Sequence, residues 1–241
     1  MAAAQNKQAQ LAHLQTVLKK KTPAPPAPVN DRAVLEEVLY AILREGSTSE
    51  QADAAYTKLK EAFFDWNEVR VSSIAEVADA IHGLKDAGAK GQRIVELLQE
   101  VYEDIFSFDL GDIAKKGIKQ AAKQLGRYKS GVSDFTVAWV MQRNLGGHAI
   151  PVDAPTLRVL QRLGIVDADA DELESIRGTL EHYVPKANGP EFTDRLIHLA
   201  LSICIEDHPL CETCPLRPDC PTGLANTAKP KTKDTKAPKK K

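Results

Sequence analysis

The four cysteines of the chain, Cys204, Cys211, Cys214 and Cys220, follow the spacing C-x6-C-x2-C-x5-C, and none occurs in the 203 residues before them. Thiolates this close in sequence can converge on one soft metal centre, because the prolines at 209, 215 and 218 turn the backbone back on itself. Three chemistries compete for such a stretch. A four-cysteine zinc site ordinarily uses two short C-x2-C pairs, and only one is present. Two disulfides require an oxidising compartment, yet no secretory signal is visible. Gaps of six and five residues around a single C-x2-C suit the bulkier [4Fe–4S] cube held by four thiolates.

A second group of candidate residues lies upstream. Lys129-Ser130-Gly131-Val132-Ser133 separates a helix ending near Tyr128 from an apolar segment, Phe135 to Met141. A glycine-centred turn between two helices can present the backbone N–H groups and the positive dipole end of the second helix to an anion such as a nucleic-acid phosphate. Arg127 and Lys129 stand ready to add charge; the competing reading is a plain helical corner. Twenty residues past the turn, Asp153 sits in Ile150-Pro-Val-Asp153-Ala-Pro155. Aspartate is a favoured helix N-cap whatever the function. As chemistry, a carboxylate here could stabilise an oxocarbenium ion or activate water at a sugar C1′.

Helices must position both groups. Residues 5–21 place Leu11, Leu14 and Leu18 at helical spacing in an Ala/Gln-rich context, which reads as an isolated helix, and Thr22 to Pro28 is a polyproline-type spacer. Residues 1–30 are therefore expected to form a flexible extension. The body, 31–220, begins with Asn30 or Asp31 as N-cap of a helix carrying Val34, Leu35, Val38, Leu39, Ile42 and Leu43. Helices follow over Glu50–Phe64, Ile74–Leu84 after a Ser73 cap, Gln92–Asp104, one or two within Leu110–Leu125, and the buried segment from Asp134 to the Gly146-Gly147 break. Others start at Asp153, with Pro155 in the first turn, and span Asp171–Tyr183 and Glu191–Ile205. Strand-like alternation is scarce and aromatics make up 5%, so the fold class is all-α.

The formal net charge of −1 hides an asymmetry: residues 229–241 hold seven Lys and one Asp, leaving −7 on residues 1–228. An acidic body is not the usual profile of a nucleic-acid binder, so any such role needs a local basic face. Residues 221–241 read as a disordered Lys-rich tail, either merely solubilising or a weak, salt-sensitive phosphate tether. No membrane-spanning run is visible. A reducing compartment is expected, cytoplasmic and nucleoid-associated, or nuclear in a eukaryote.

Taken together, the hairpin, the buried helix, the Val152-Asp153 pair and the cysteine spacing resemble the endonuclease III branch of the helix-hairpin-helix (HhH-GPD) DNA glycosylases. The cysteine gaps match that family's iron–sulfur loop. Its hairpin pattern, Leu-Pro-Gly-Val-Gly-Arg-Lys-Thr-Ala, falls without gaps on Lys129 to Val137, and the family Val-Asp pair then falls on Val152-Asp153. The resemblance covers residues 31–220. It implies a two-lobed fold with double-stranded DNA bound between a helical lobe holding the hairpin and a lobe, made by the first and last helices, holding a [4Fe–4S] cluster on Cys204, Cys211, Cys214 and Cys220. It further implies a monomer whose catalytic carboxylate is Asp153 and whose DNA contacts come from Arg127, Lys129, Ser130, Gly131, Val132 and Ser133.

The departures are as informative. Phe135 stands where the bifunctional enzymes carry a nucleophilic lysine, so lyase chemistry is not expected; Lys123 and Lys129 are the nearest alternative amines. Ser133 replaces the second hairpin glycine, which would be strained at positive φ. The base-wedge glutamine becomes Gly46, the aspartate three residues later becomes Ser49, and the extra glutamate of the adenine-specific branch becomes Ala41. The expected function is base-excision repair by a monofunctional glycosylase; the alternatives are a non-catalytic DNA-binding relative and a helical zinc protein.

Overall fold

The computed structural model describes residues 2–25, 32–167 and 172–228, with side chains described from Lys7 onward. Thirteen α-helices follow in order among these residues: α1 (Ala2–Lys21), α2 (Val34–Arg44), α3 (Ser49–Ala62), α4 (Trp66–Val71), α5 (Ile74–Ala80), α6 (Ala87–Ile105), α7 (Gly111–Lys115), α8 (Ile118–Leu125), α9 (Asp134–Arg143), α10 (Ala154–Arg162), α11 (Leu173–Tyr183), α12 (Gly189–Ser202) and α13 (Pro221–Thr227). No described residue is in a strand, as expected for the all-α class. No described helix is long and apolar enough to cross a membrane.

Local chemistry accounts for most boundaries. Thr48, Ser73 and Asp153 each close a capping box at the start of α3, α5 and α10, satisfying N–H groups that a helix leaves free. Asp65 and Ser133 cap α4 and α9 by accepting from the residue three positions on. The expected cap of α2 at position 30 or 31 is displaced, and both positions lie outside the described residues. That helix starts at Val34 after Ala33, which makes no side-chain cap.

Two apolar cores divide the molecule into two lobes. The first gathers Val34 to Met141, from α2 to α9, with Ile197 reaching in from α12. The second joins Leu11, Leu14 and Leu18 of α1 to α10, α11 and α12, with Leu216 and Cys220 from the cysteine segment.

This corrects the expectation of a flexible N-terminal extension. A helix of this length and composition is marginal alone, but Leu11, Leu14 and Leu18 are 0–1% exposed here. Burial of each contributes roughly 1.5–3 kcal/mol. Arg195, itself buried, donates from Nη1 to the carbonyl oxygens of Leu18, Thr22 and Pro23, closing the C-terminal end of α1 from α12. The first helix of the chain, not the one beginning near residue 31, therefore completes the second lobe. The tail is corrected as well: Pro221–Thr227 forms α13, packed on α10 and on the short 3₁₀ turn at Arg217–Asp219. Residues 229–241 and the middle of the proline spacer lie outside the described residues.

Leu14→Ala should lower the unfolding free energy by about 2–5 kcal/mol, read as a lower urea midpoint with the slope unchanged. A loosely attached α1 would leave the midpoint where it was.

Candidate nucleic-acid interface and carboxylate site

The hairpin forms as expected between α8 and α9, and the reason for its glycine is close approach. Gly131 does not have positive φ. A Cβ there would lie 2.4 Å from Leu97 Cβ and 2.8 Å from the Arg93 carbonyl oxygen, so only glycine lets the turn seat on α6. Ser133 is not strained either: at φ −92° and ψ 169° it is extended, and its Oγ accepts from Thr136 N–H. The serine that departs from the glycine pattern serves as the N-cap of α9.

The turn is answered in part from within. Ser130 Oγ donates to Glu100 Oε1 at 2.8 Å, and Ser130 N–H points to the same carboxylate at 3.4 Å. The N–H of Val132 is taken by the Tyr128 carbonyl oxygen. Arg127 is exposed and stands 3.9 Å from Asp104, which also accepts from the Tyr128 hydroxyl. Lys123 and Lys129 are exposed on the same hairpin. An acidic rim thus already lies along the residues assigned to phosphate contact.

Asp153 is 5% exposed and engaged on both oxygens. Oδ1 accepts from Thr156 N–H at 2.9 Å and from the Thr156 hydroxyl at 2.7 Å; Oδ2 accepts from Gly46 N–H at 2.9 Å. Gly46 reaches this position through a left-handed backbone, φ +69°. The position aligned with the base wedge therefore carries no side chain, but its amide fastens the end of α2 to the start of α10. Phe135 is buried and stacked on Trp139 with ring centroids 5.7 Å apart, so its side chain belongs to the core.

Three residues that the sequence did not single out complete the corner. Lys90 Nζ donates to the carbonyl oxygens of Ile42, Leu43 and Glu45 at 2.9, 2.8 and 2.5 Å, closing the C-terminal end of α2. Burial pushes its ammonium down to about 8, while the nearby Glu45 charge opposes the shift. With its protons committed to these carbonyls, it is not a free nucleophile. Glu45 Oε2 accepts from Arg93 Nη1 at 2.8 Å and from Ser133 Oγ at 2.9 Å, and Arg93 Nε also donates to the Gly131 carbonyl oxygen. One signal for Lys90 was present in the sequence, since it lies in phase with Ile94, Leu97, Leu98 and Val101 on the buried stripe of α6. Glu45 and Arg93 gave none.

The cysteine segment folds beside α10 and α13. Burial pushes the thiols of Cys214 and Cys220 up, and the neighbouring cysteine charges add to this in both cases. Donors are directed at three of the four sulfurs: Arg162 Nη1 at 3.5 Å from Cys204 Sγ, Asn226 Nδ2 at 3.5 Å from Cys211 Sγ, and Gly223 N–H at 3.2 Å from Cys220 Sγ. Among the described residues no three or more His, Cys, Asp or Glu side chains stand close enough to hold a single metal ion. Tetrahedral zinc would draw its thiolates to about 3.8 Å of one another, whereas an iron–sulfur cube binds each thiolate at a different iron. The donors directed at Cys204, Cys211 and Cys220 suit sulfurs that bear charge as thiolate ligands.

Comparison with known proteins agrees with this architecture. What the comparison shows is the fold, an all-α architecture shared with solved DNA glycosylases. A noncovalent endonuclease III–DNA complex superposes with a TM-score of 0.70 at 23% identity, covering 92% of this chain and 99% of that one. A trapped covalent endonuclease III–DNA intermediate gives 0.69 at 22% identity with the same coverage. In sequence, an endonuclease III homologue of Encephalitozoon cuniculi is 33% identical over 75 residues, 31% of each chain. An Arabidopsis thaliana protein whose name assigns it provisionally as a DNA glycosylase is 24% identical over 141 residues, 58% of this chain and 48% of that one. The chain thus spans about half or less of the curated relatives it matches. No protein-family model matches.

Gly46→Ala should cost about 1–2 kcal/mol, the penalty of a left-handed L-residue, although the space around it is open. Gly83→Ala, equally open and without positive φ, serves as the control and should leave the thermal midpoint unchanged or slightly raised.

Proposed function

We infer that the chain is a DNA base-excision repair protein of endonuclease III type. In this reading it binds double-stranded DNA as a monomer across the hairpin and hydrolyses the N-glycosidic bond of a damaged or mismatched base. The observation that carries it is the placement of Asp153, within the endonuclease III fold, at the junction where the end of α2, the start of α10 and the hairpin residue Ser133 come together through Gly46 and Glu45. An extruded base would bring its C1′ to this junction. There the Asp153 charge would stabilise the developing oxocarbenium ion. Gly131 would seat the turn, with Arg127, Lys129, Ser130, Val132 and Ser133 along the phosphate backbone. The buried ring at Phe135 supplies no amine, so the reaction would stop at the abasic site without strand cleavage.

Cys204, Cys211, Cys214 and Cys220 would hold a [4Fe–4S] cluster, which when bound would tie the loop after α12 to α13 and keep it in one shape. Arg217, exposed on that loop, would face the duplex backbone.

One observation favours a second reading, a DNA-binding relative without catalysis: both Asp153 oxygens are already occupied and the residue is buried. Duplex oligonucleotides carrying oxidised or mismatched bases separate the two. On a substrate that is processed, base release should leave an alkali-labile site and no spontaneous nick, and Asp153→Asn should slow release by about 10²-fold or more. DNA binding that weakens with salt, with no release from any duplex and no effect of Asp153→Asn, would establish the non-catalytic reading.

The metal content is a separate expectation. Purified protein should contain iron and acid-labile sulfide in equal amounts, and Cys214→Ser should lose both and lower the thermal midpoint. Zinc without sulfide would refute the cluster assignment.

A further inference from the structure

If Asp153 is fully engaged and Phe135 carries no amine, hydrolysis at this corner still needs a group that takes a proton from water. Glu45 is placed to do so. It directly precedes Gly46, whose N–H holds Asp153, so the two carboxylates enter the same junction from α2 and α10. Its Oε2 is fixed from two directions, by Arg93 of α6 and by Ser133 at the start of α9. No hydrogen bond to its Oε1 is found among the described residues, and its side chain keeps 24% of its surface open. A general base needs this combination: one oxygen anchored so that the direction is set, the other free toward solvent. Glu100, by contrast, faces Ser130 at the far end of the turn, and the ammonium of Lys90 is consumed by carbonyl groups.

We propose that Glu45 is the residue that activates water for base removal, an assignment resting on the glycosylase reading above. Oε1 takes a proton from the water as the water oxygen bonds to C1′. The C1′–N bond breaks, its electron pair leaves with the base, and the base is protonated from solvent. Glu45 then releases its proton. One water is consumed, and a free base and an abasic sugar result. The division of labour gives the two carboxylates separate tasks: the buried one stabilises charge and the open one handles the proton.

The test compares wild type, Glu45→Gln and Glu45→Ala in single-turnover release from duplexes carrying oxidised pyrimidines, G·T mismatches or alkylated purines, with duplex affinity measured alongside. Glu45→Gln should slow release about 10²–10⁴-fold while affinity changes by less than about twofold. Added formate should restore part of the rate to Glu45→Ala. Rescue that rises with the basicity of the added carboxylate, from formate to acetate, keeps the test decisive if removing the Arg93 partner also lowers stability, because an ion pair restored by either carboxylate would not follow basicity. Release by wild type with Glu45→Gln unimpaired, or no rescue rising with basicity in Glu45→Ala, overturns this assignment and leaves the glycosylase reading standing. No release by wild type from any duplex sinks that reading and this assignment together.

Discussion

The end of α2 is where the two lobes are joined, and the need to satisfy its backbone groups governs the arrangement of the rest. A helix terminus leaves carbonyl groups without partners, and burying them unpaired costs several kcal/mol in sum. Here the partner is the ammonium of Lys90, sent across from α6 to three carbonyl oxygens. The next amide, that of Gly46, turns through a left-handed backbone to the Asp153 carboxylate. Asp153 in turn caps α10, so one short segment closes two helices and links the first core to the second. Removing any member would leave a buried charge or dipole without its complement. The cost of burial shows in Lys90, whose ammonium is pushed down to about 8.

Buried polar pairs also hold α2 to α9 within the first lobe and α9 to α12 across to the second. Glu37, 2% exposed, accepts from Trp139 Nε1 at 2.7 Å and pairs with Arg32, whose guanidinium lies 3.8 Å from the Tyr40 ring centroid. Arg143 meets Asp194 at 2.9 Å, and Arg44 caps the turn after α2 through the Ser47 carbonyl oxygen. Buried pairs of this kind add little net stability over an apolar replacement, but breaking one partner is costly. Their effect is on geometry. They fix how α2, α9 and α12 meet, and therefore where Asp153 and Glu45 point.

How much of this was legible follows from the range of each interaction. Ser73 and Asp153 could be read as caps because a capping box is complete within four residues. The hairpin could be placed because Gly131 separates two helical patterns. The docking of α1 could not: three leucines in an Ala/Gln-rich segment look the same whether the helix is free or packed. What decides is Arg195, 173 residues from Thr22. Glu45 and Arg93 are 48 positions apart, and Glu100 is 30 from Ser130; each is an unremarkable charged residue in its own helix. The departures proved more readable in consequence than in cause. Ser133 looked like a strained substitute for glycine and instead provides both an N-cap and an anchor for Glu45. Gly46 looked like a lost wedge and instead holds the carboxylate.

Glu100 bears most directly on how DNA could be engaged. A phosphate at the hairpin must compete with a carboxylate already bonded to Ser130, on a body whose formal charge is −7 over residues 1–228. An exposed carboxylate–hydroxyl contact of this kind contributes on the order of 1 kcal/mol, while each phosphate gripped by a cation brings counterion release and a stronger charge-assisted bond. The exchange is therefore affordable only when several phosphates bind together. Lys123, Arg127 and Lys129 are exposed along one hairpin and, in the DNA-binding reading, would supply that cooperation, with Arg217 on the cysteine loop adding a contact from the second lobe. Engagement through one lobe alone would leave the acidic rim in place. In the glycosylase reading, a grip needing both lobes would make DNA affinity depend on the same Gly46–Asp153 junction that holds the carboxylates, and binding and chemistry would be coupled through one pair of hydrogen-bonded groups.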